Sequence, residues 1–219
     1  MKKYGILFLG FLLLLSCSRQ SRLLHPDNSV FNTPAPAQFN VLLTTTKGDI
    51  LMEVRREWSP HGVDRFYNLV RYGYYDSAAF FRINKNNWAQ FGVAANGKVA
   101  SAWRHRNIPD DPRVLSNTRG TLAYAFKDPN GRTTQIFINL KDNSATHDKE
   151  PFVPFARILT GMDVVDSLYK GYGETSGGGI RGGKQDSLFA EGNAWLQRRF
   201  PLLDYILRAH INGKSKTYQ

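Results

Sequence analysis

The stretch "FFRINKNNWAQFG" (residues 80–92) sets one cation, Arg82, among aromatic residues, with Gln90 following on the next segment. In an alternating strand Phe80, Arg82 and Asn84 face one way while Phe81 and Ile83 face the other. Trp88 and Gln90 then share a face of the segment that follows. A guanidinium held above an apolar floor offers fixed N–H donors to a polar group in a dry place. The same alternation also suits an arginine on the wet face of a barrel with Trp88 in the core. These residues alone leave both readings open.

Other chemistries find less support. The five histidines (His25, His61, His105, His147, His210) are scattered, with no pair at helical ligand spacing, so no metal site is indicated. There is no Gly-x-Ser-x-Gly elbow of the serine hydrolase kind. Gly178, Gly183 and Lys184 imitate a phosphate-binding loop, but Gln185 stands where a magnesium-binding hydroxyl is needed, and no buried strand leads in. A flexible loop is the expectation there, and no cofactor is expected.

The elements that must position Arg82 and Gln90 follow from periodicity. "FNVLLTTTKGDILMEVRRE" gives two alternating runs around Lys47-Gly48-Asp49, a hairpin pattern. Ser59-Pro60 opens a helix with Val63, Phe66, Leu69 and Val70 on one face, ended by Gly73. Strand-like pieces follow at 79–84, 88–94, 121–126, 135–140 and 153–159. Asp163 to Lys170 reads as a second helix, and a short helix near 189–200 stops at Pro201. "LDYILRAHI" closes as a strand. Many short strands, few helices and no βαβ rhythm predict a mainly β fold, an antiparallel barrel or sandwich with helices at its ends.

Three stretches, in order, resemble one family. "FFRINKNNWAQFG" resembles the cyclophilin pattern F-H-R-V/I-x-x-x-F-M/V-x-Q-x-G, with the arginine-to-glutamine distance kept. "GTLAYAFKDPNGRTTQIFI" (120–138) and "FVPFARILTGMDVV" (152–165) resemble two further cyclophilin motifs. The tail "EGNAWLQRRFPLLDYILRAHI" is similar to the C-terminal extension of a bacterial subgroup. The resemblance implies an eight-stranded antiparallel closed barrel capped by two α-helices, and peptidyl-prolyl cis-trans isomerase activity without a cofactor. It implies proline-containing polypeptides as partners and a monomer, with no nucleic acid. It makes Arg82 the catalytic donor, with Gln90 holding Arg82 or the substrate carbonyl. Phe137 would floor the proline pocket, Trp88 would wall it, and Ala125 and Gln135 would line the groove before it. The alternative is a cyclophilin fold kept as a peptide-binding or chaperone module with little catalysis.

The chain departs from the pattern in places. Asn87 replaces the pocket phenylalanine, Phe126 an asparagine and Phe152 a histidine. Around "NSATHDKE" (143–150) there is no counterpart to the tryptophan that many members use for cyclosporin; His147 or Asp148 falls nearby. A more apolar groove and weak cyclosporin binding are expected.

The first residues concern targeting. Lys2 and Lys3 precede an apolar run, Ile6 to Leu15, too short for an ordinary span. "LLSC" ending at Cys17, the only cysteine, resembles a bacterial lipobox. This implies a signal peptide over 1–16, lipidation of Cys17 and residence on the cell envelope, with Ser18 pointing to the periplasmic face of the outer membrane by family analogy. Residues 17–38 read as a flexible tether, 39–212 as the domain, and 213–219 as a disordered tail. Formal charge is +11, or +9 without Lys2 and Lys3, which suits solubility or an anionic membrane surface.

Overall fold

The computed structural model describes residues 21–178 and 185–216. Cys17 and the rest of the leader lie outside the described residues, as do 179–184 of the glycine-rich stretch and 217–219. No helix among the described residues is long and apolar enough to cross a membrane.

Eight antiparallel strands form one curled sheet. β1 (Gln38–Thr45) and β2 (Gly48–Arg55) make the expected hairpin, with Thr45 opposite Gly48. Phe39, Val41 and Leu43 of β1 and Ile50, Met52 and Val54 of β2 point into the core. The other strands are β3 (Arg82–Asn84), β4 (Trp88–Phe91), β5 (Thr121–Tyr124), β6 (Ile136–Asn139), β7 (Pro154–Thr160) and β8 (Ile206–Lys216). Their order is β3-β4-β6-β5-β7-β2-β1-β8.

The sheet is an open half-barrel, which corrects the expected closed barrel. Its two ends touch at an isolated bridge between Ala79 and Tyr205. There Phe80 N–H donates to Asp204 O at 2.9 Å, and Ile206 N–H to Ala78 O at 2.8 Å. The reason lies in β3, whose outer N–H at Ile83 donates to Gly173 O at 3.0 Å. That edge is covered by the loop at Gly173 rather than by β8.

Helices cover the sheet, and there are more among the described residues than the two capping helices and the short helix near 189–200 that were expected. α1 is Asn28–Phe31, α2 Pro60–Arg71, α3 Gly97–Trp103, α4 Ser144–His147, α5 Met162–Ser167, α6 Asp186–Glu191 and α7 Asn193–Arg199. α2 buries Val63, Phe66, Leu69 and Val70, the face its periodicity predicts. Phe66 packs on Phe155 and Tyr75, with ring centroids 5.0 and 5.5 Å apart. Each such side chain removed from water contributes about 1.5–3 kcal/mol.

The N-terminus of α2 is capped from a distance. Asp111 accepts from the backbone N–H of His61 at 3.1 Å and Gly62 at 3.0 Å, and from the Ser59 hydroxyl at 2.6 Å. Buried Arg132 pairs with the same carboxylate at 3.1 Å. This cluster ties the 105–120 loop to the helix that backs the sheet.

Two boundary expectations are corrected. The tether reading fails for residues 21–37, because Leu23, Phe31 and Ala35 are buried. The Phe31 ring packs 4.8 Å from both Tyr72 and Trp103, and Trp103 Nε1–H donates to Leu23 O at 3.0 Å. A few apolar residues in a polar segment suffice when a groove lined by aromatics waits for them. The tail reading also fails for residues 213–216, which belong to β8, with Lys216 opposite Gln38.

Candidate functional site

Arg82, Gln90 and Phe137 lie opposite one another on three neighbouring strands. Arg82 of β3 pairs with Gln90 of β4, and Gln90 with Phe137 of β6. Directly opposed residues of a sheet share a face with Cβ atoms about 5 Å apart. Register alone therefore sets a cation, an amide and an apolar ring in one row. Arg82 Nη1–H donates to Gln90 Oε1 at 2.9 Å, and the guanidinium sits 5.6 Å from the Trp88 ring centre.

The row opens into a cavity of about 630 Å³ lined by Arg82, Trp88, Gln90, Ala125, Phe126 and Phe137, and completed by Phe152 and His147. Lys127 and Glu150 stand on its rim. Gln135 lines an adjoining cavity of about 460 Å³ that shares Arg82, Gln90, Ala125 and Phe126. All eight groove and catalytic candidates from the sequence thus converge here.

Asn87 sits in the β3–β4 turn, not in the cavity. Its amide donates to the Asn84 side chain, and its carbonyl accepts from Leu140 N–H and Asn143 Nδ2, both at 2.9 Å. Asn86 takes φ 67°, which turns the chain so that half-buried Trp88 becomes the wall.

The rest of the lining is aromatic. Phe126 and Phe152 rings lie 4.6 Å apart, and Phe152 stands edge-on to Phe137 at 5.3 Å. His147 packs at 4.9 Å from Phe152, 5.5 Å from Phe137 and 5.7 Å from Trp88. Its Nδ1 lies 3.3 Å from Asn139 Oδ1, an acceptor, so the Nδ1–H tautomer fits. Desolvation pushes the His147 imidazole below its ordinary value, aided by Lys141 and opposed by Asp148. Asp148 turns away, its Oδ1 accepting from Asn117 N–H at 2.9 Å and Asn117 Nδ2 at 2.8 Å.

Arg82 itself is only 9% exposed. Burial pushes its guanidinium below the ordinary arginine value, and Glu174 pulls it partly back. Arginine stays charged at neutral pH regardless. Glu174 Oε1 lies 3.2 Å from Arg82 Nη2. Sequence reasoning left His147 and Asp148 as alternatives, of which His147 lines the cavity, and it missed Lys127, Glu150 and Glu174. Aromatic neighbours could have pointed to His147; nothing local points to Glu174.

Three comparisons bear on this site. The family described as cyclophilin type peptidyl-prolyl cis-trans isomerase/CLD matches residues 40–182. The peptidyl-prolyl cis-trans isomerase of Acinetobacter baylyi is 30% identical over 138 residues, covering 61% of this chain and 73% of that protein. Peptidyl-prolyl cis-trans isomerase B of Escherichia coli is 31% identical over 135 residues, covering 58% and 82%. In fold, the crystal structure of a Cryptosporidium parvum cyclophilin type isomerase matches with TM-score 0.57 at 18% identity, covering 81% of this chain and 99% of that one.

Proposed function

The chain belongs to the cyclophilin-type peptidyl-prolyl cis-trans isomerase family and is such an isomerase, and we propose that Arg82 is the donor that drives X-Pro rotation over the Phe137 floor. The observation that carries this reading is the cross-strand row Arg82, Gln90, Phe137.

Rotation about a peptide bond faces a barrier of about 18–20 kcal/mol because the planar amide is resonance-stabilised. X-Pro bonds have two nearly balanced isomers that exchange over roughly tens to hundreds of seconds. Twisting ends the resonance, and the prolyl nitrogen becomes pyramidal with a lone pair. A donor fixed beside that nitrogen stabilises the twisted amide more than the planar one, which is the condition for catalysis. Arginine carries five N–H donors. Nε–H is buried, and Gln90 and Glu174 each engage one of the other four, so one N–H on each Nη remains for the substrate.

The aromatic lining gives the proline ring an apolar seat and keeps the guanidinium out of bulk water, where such a hydrogen bond is weakened. A charge-assisted hydrogen bond of about 1.5–3 kcal/mol corresponds to a rate factor of about 10 to 100. Gln90 keeps Nη1 in place, and Gln135 and Ala125 border the path for residues preceding proline. No covalent step is needed.

We propose further that the enzyme acts on exported polypeptides from a lipid anchor at Cys17, on the periplasmic face of the outer membrane. Support comes from the leader and its lipobox resemblance. Labelling cells with a radioactive fatty acid tests the anchor: parent protein should carry label and Cys17→Ala should not. Accelerated exchange of an X-Pro tetrapeptide by purified protein tests the activity. No acceleration would favour a peptide-binding module.

A further inference from the structure

Resting on the reading of Arg82 as the donor, we propose that Glu174 is a positioning residue for Arg82, delivered to it by the glycine-rich loop.

The guanidinium is held at two corners. Gln90 Oε1 accepts from Nη1 at 2.9 Å, and Glu174 Oε1 lies 3.2 Å from Nη2. One hydrogen bond leaves a guanidinium free to swing about it. A second anchor on the other Nη fixes its plane, and with it the direction of the remaining N–H groups. The carboxylate is itself fixed: Asn84 Nδ2–H donates to the same Oε1 at 2.8 Å. Its loop is fastened to β3, because Gly173 O accepts from Ile83 N–H at 3.0 Å. Both side chains are largely withdrawn from water, at 11% and 17% exposure, so the pair is not a screened surface contact.

A second route leads from Arg82 back to the same loop. Gln90 Nε2 donates to Gln135 Oε1 at 2.7 Å, Gln135 Nε2 to Gln185 Oε1 at 3.0 Å, and Gln185 Nε2 to Gly177 O at 3.1 Å. Gly177 then packs on the Arg82 stem so closely that a Cβ there would lie 2.5 Å from Arg82 Cβ. The circuit closes on the residue it starts from. Its members lie on β3, on β4, beside β6 and on the loop, and only the Arg82–Gln90 part falls within the family-like motif at residues 80–92. The loop thus holds the Arg82 stem through Gly177 and its guanidinium through Glu174.

The test compares the full chain with Glu174→Ala, Glu174→Gln, Asn84→Ala and Arg82→Ala. It reads tetrapeptide exchange, melting temperature and nitrogen-15 NMR of the Arg82 side chain. Glu174→Ala should lower kcat/KM about tenfold, the worth of one charge-assisted hydrogen bond, mostly through kcat. Glu174→Gln should keep more activity, since its Oε1 still accepts, and Asn84→Ala should fall in the same direction. Rotation of the Arg82 Nη groups should be slow in the parent and fast in Glu174→Ala. If Glu174→Ala does not fold, Glu174→Gln and Asn84→Ala carry the comparison. Glu174→Ala within about twofold of the parent, or faster, overturns the proposal, as does Asn84→Ala at the parent rate where Glu174→Ala does not fold; faster would mean the carboxylate weakens the cation rather than aims it. A slow Arg82→Ala beside normal Glu174 variants sinks only the positioning role. An Arg82→Ala as fast as the parent removes the isomerase reading of Arg82, and the ground for Glu174 with it.

Discussion

Arg82 and Gln90 face each other across the β3–β4 ladder, and the guanidinium Nη1 donates to the amide oxygen at 2.9 Å. The two positions are set opposite one another by backbone register, independently of the side-chain bond between them.

Removing the amide should therefore uncouple aim from fold. Gln90→Ala is expected to lower kcat/KM about tenfold with little change in melting temperature, because one charge-assisted hydrogen bond is lost. NMR exchange spectroscopy of an X-Pro peptide measures it. An unchanged rate would show that Gln90 does not hold the donor.

Cyclosporin should bind weakly. His147 stands in the groove where the resemblance leads one to look for tryptophan, and Phe126 and Phe152 fill neighbouring space with rings 4.6 Å apart. Calorimetry should give a dissociation constant in the micromolar range or weaker, with His147→Trp tightening it. A submicromolar constant for the parent would contradict the account of the groove.

Stability should fall on mild acidification because of His147. Its folded pKa lies below the ordinary value near 6.5, with desolvation as the largest cause. As pH drops through about 6.5, the unfolded chain takes up the proton first, so unfolding is favoured until the folded-state pKa is passed. His147→Phe keeps a ring in place and should flatten the urea-midpoint profile in that window. Loss of stability from Asp111 belongs to a lower range. Desolvation raises that carboxyl, but Ser59, His61, Gly62 and Arg132 outweigh it, so its contribution is lost only as pH falls below the usual carboxylate range.

The Asp111 cluster should matter more for folding than for chemistry. Asp111→Ala would leave buried Arg132 without this carboxylate and free two N–H groups of α2. The expected cost is about 3–5 kcal/mol, read by denaturant melts, with kcat/KM near the parent value wherever the protein stays folded. A loss under about 1 kcal/mol would mean the cluster relaxes around the gap.

Much of this was legible beforehand for a physical reason. Alternation in "FNVLLTTTKGDILMEVR" reports one buried face, and Val63, Phe66, Leu69 and Val70 report a helical one. Arg82, Gln90 and Phe137 were legible through spacing, since ladder register turns fixed separations into contacts. What stayed hidden depends on partners brought together by the chain's return. Leu23 and Phe31 look like strays until Trp103 supplies their groove. The seven-residue α3 begins with a glycine and gives too few turns to show a period. The choice between His147 and Asp148 needed the Asn117 contacts that turn the aspartate outward. Glu174 sits in a run of glycines, and only the loop's attachment to Ile83 brings it to Arg82.

The central claim is tested most directly by the rate of X-Pro exchange in Arg82→Ala beside the parent, at matched folded concentration. The account predicts that the parent accelerates exchange and that the variant loses about 10 to 100-fold in kcat/KM while keeping its peptide affinity. Equal rates for the two proteins would contradict it.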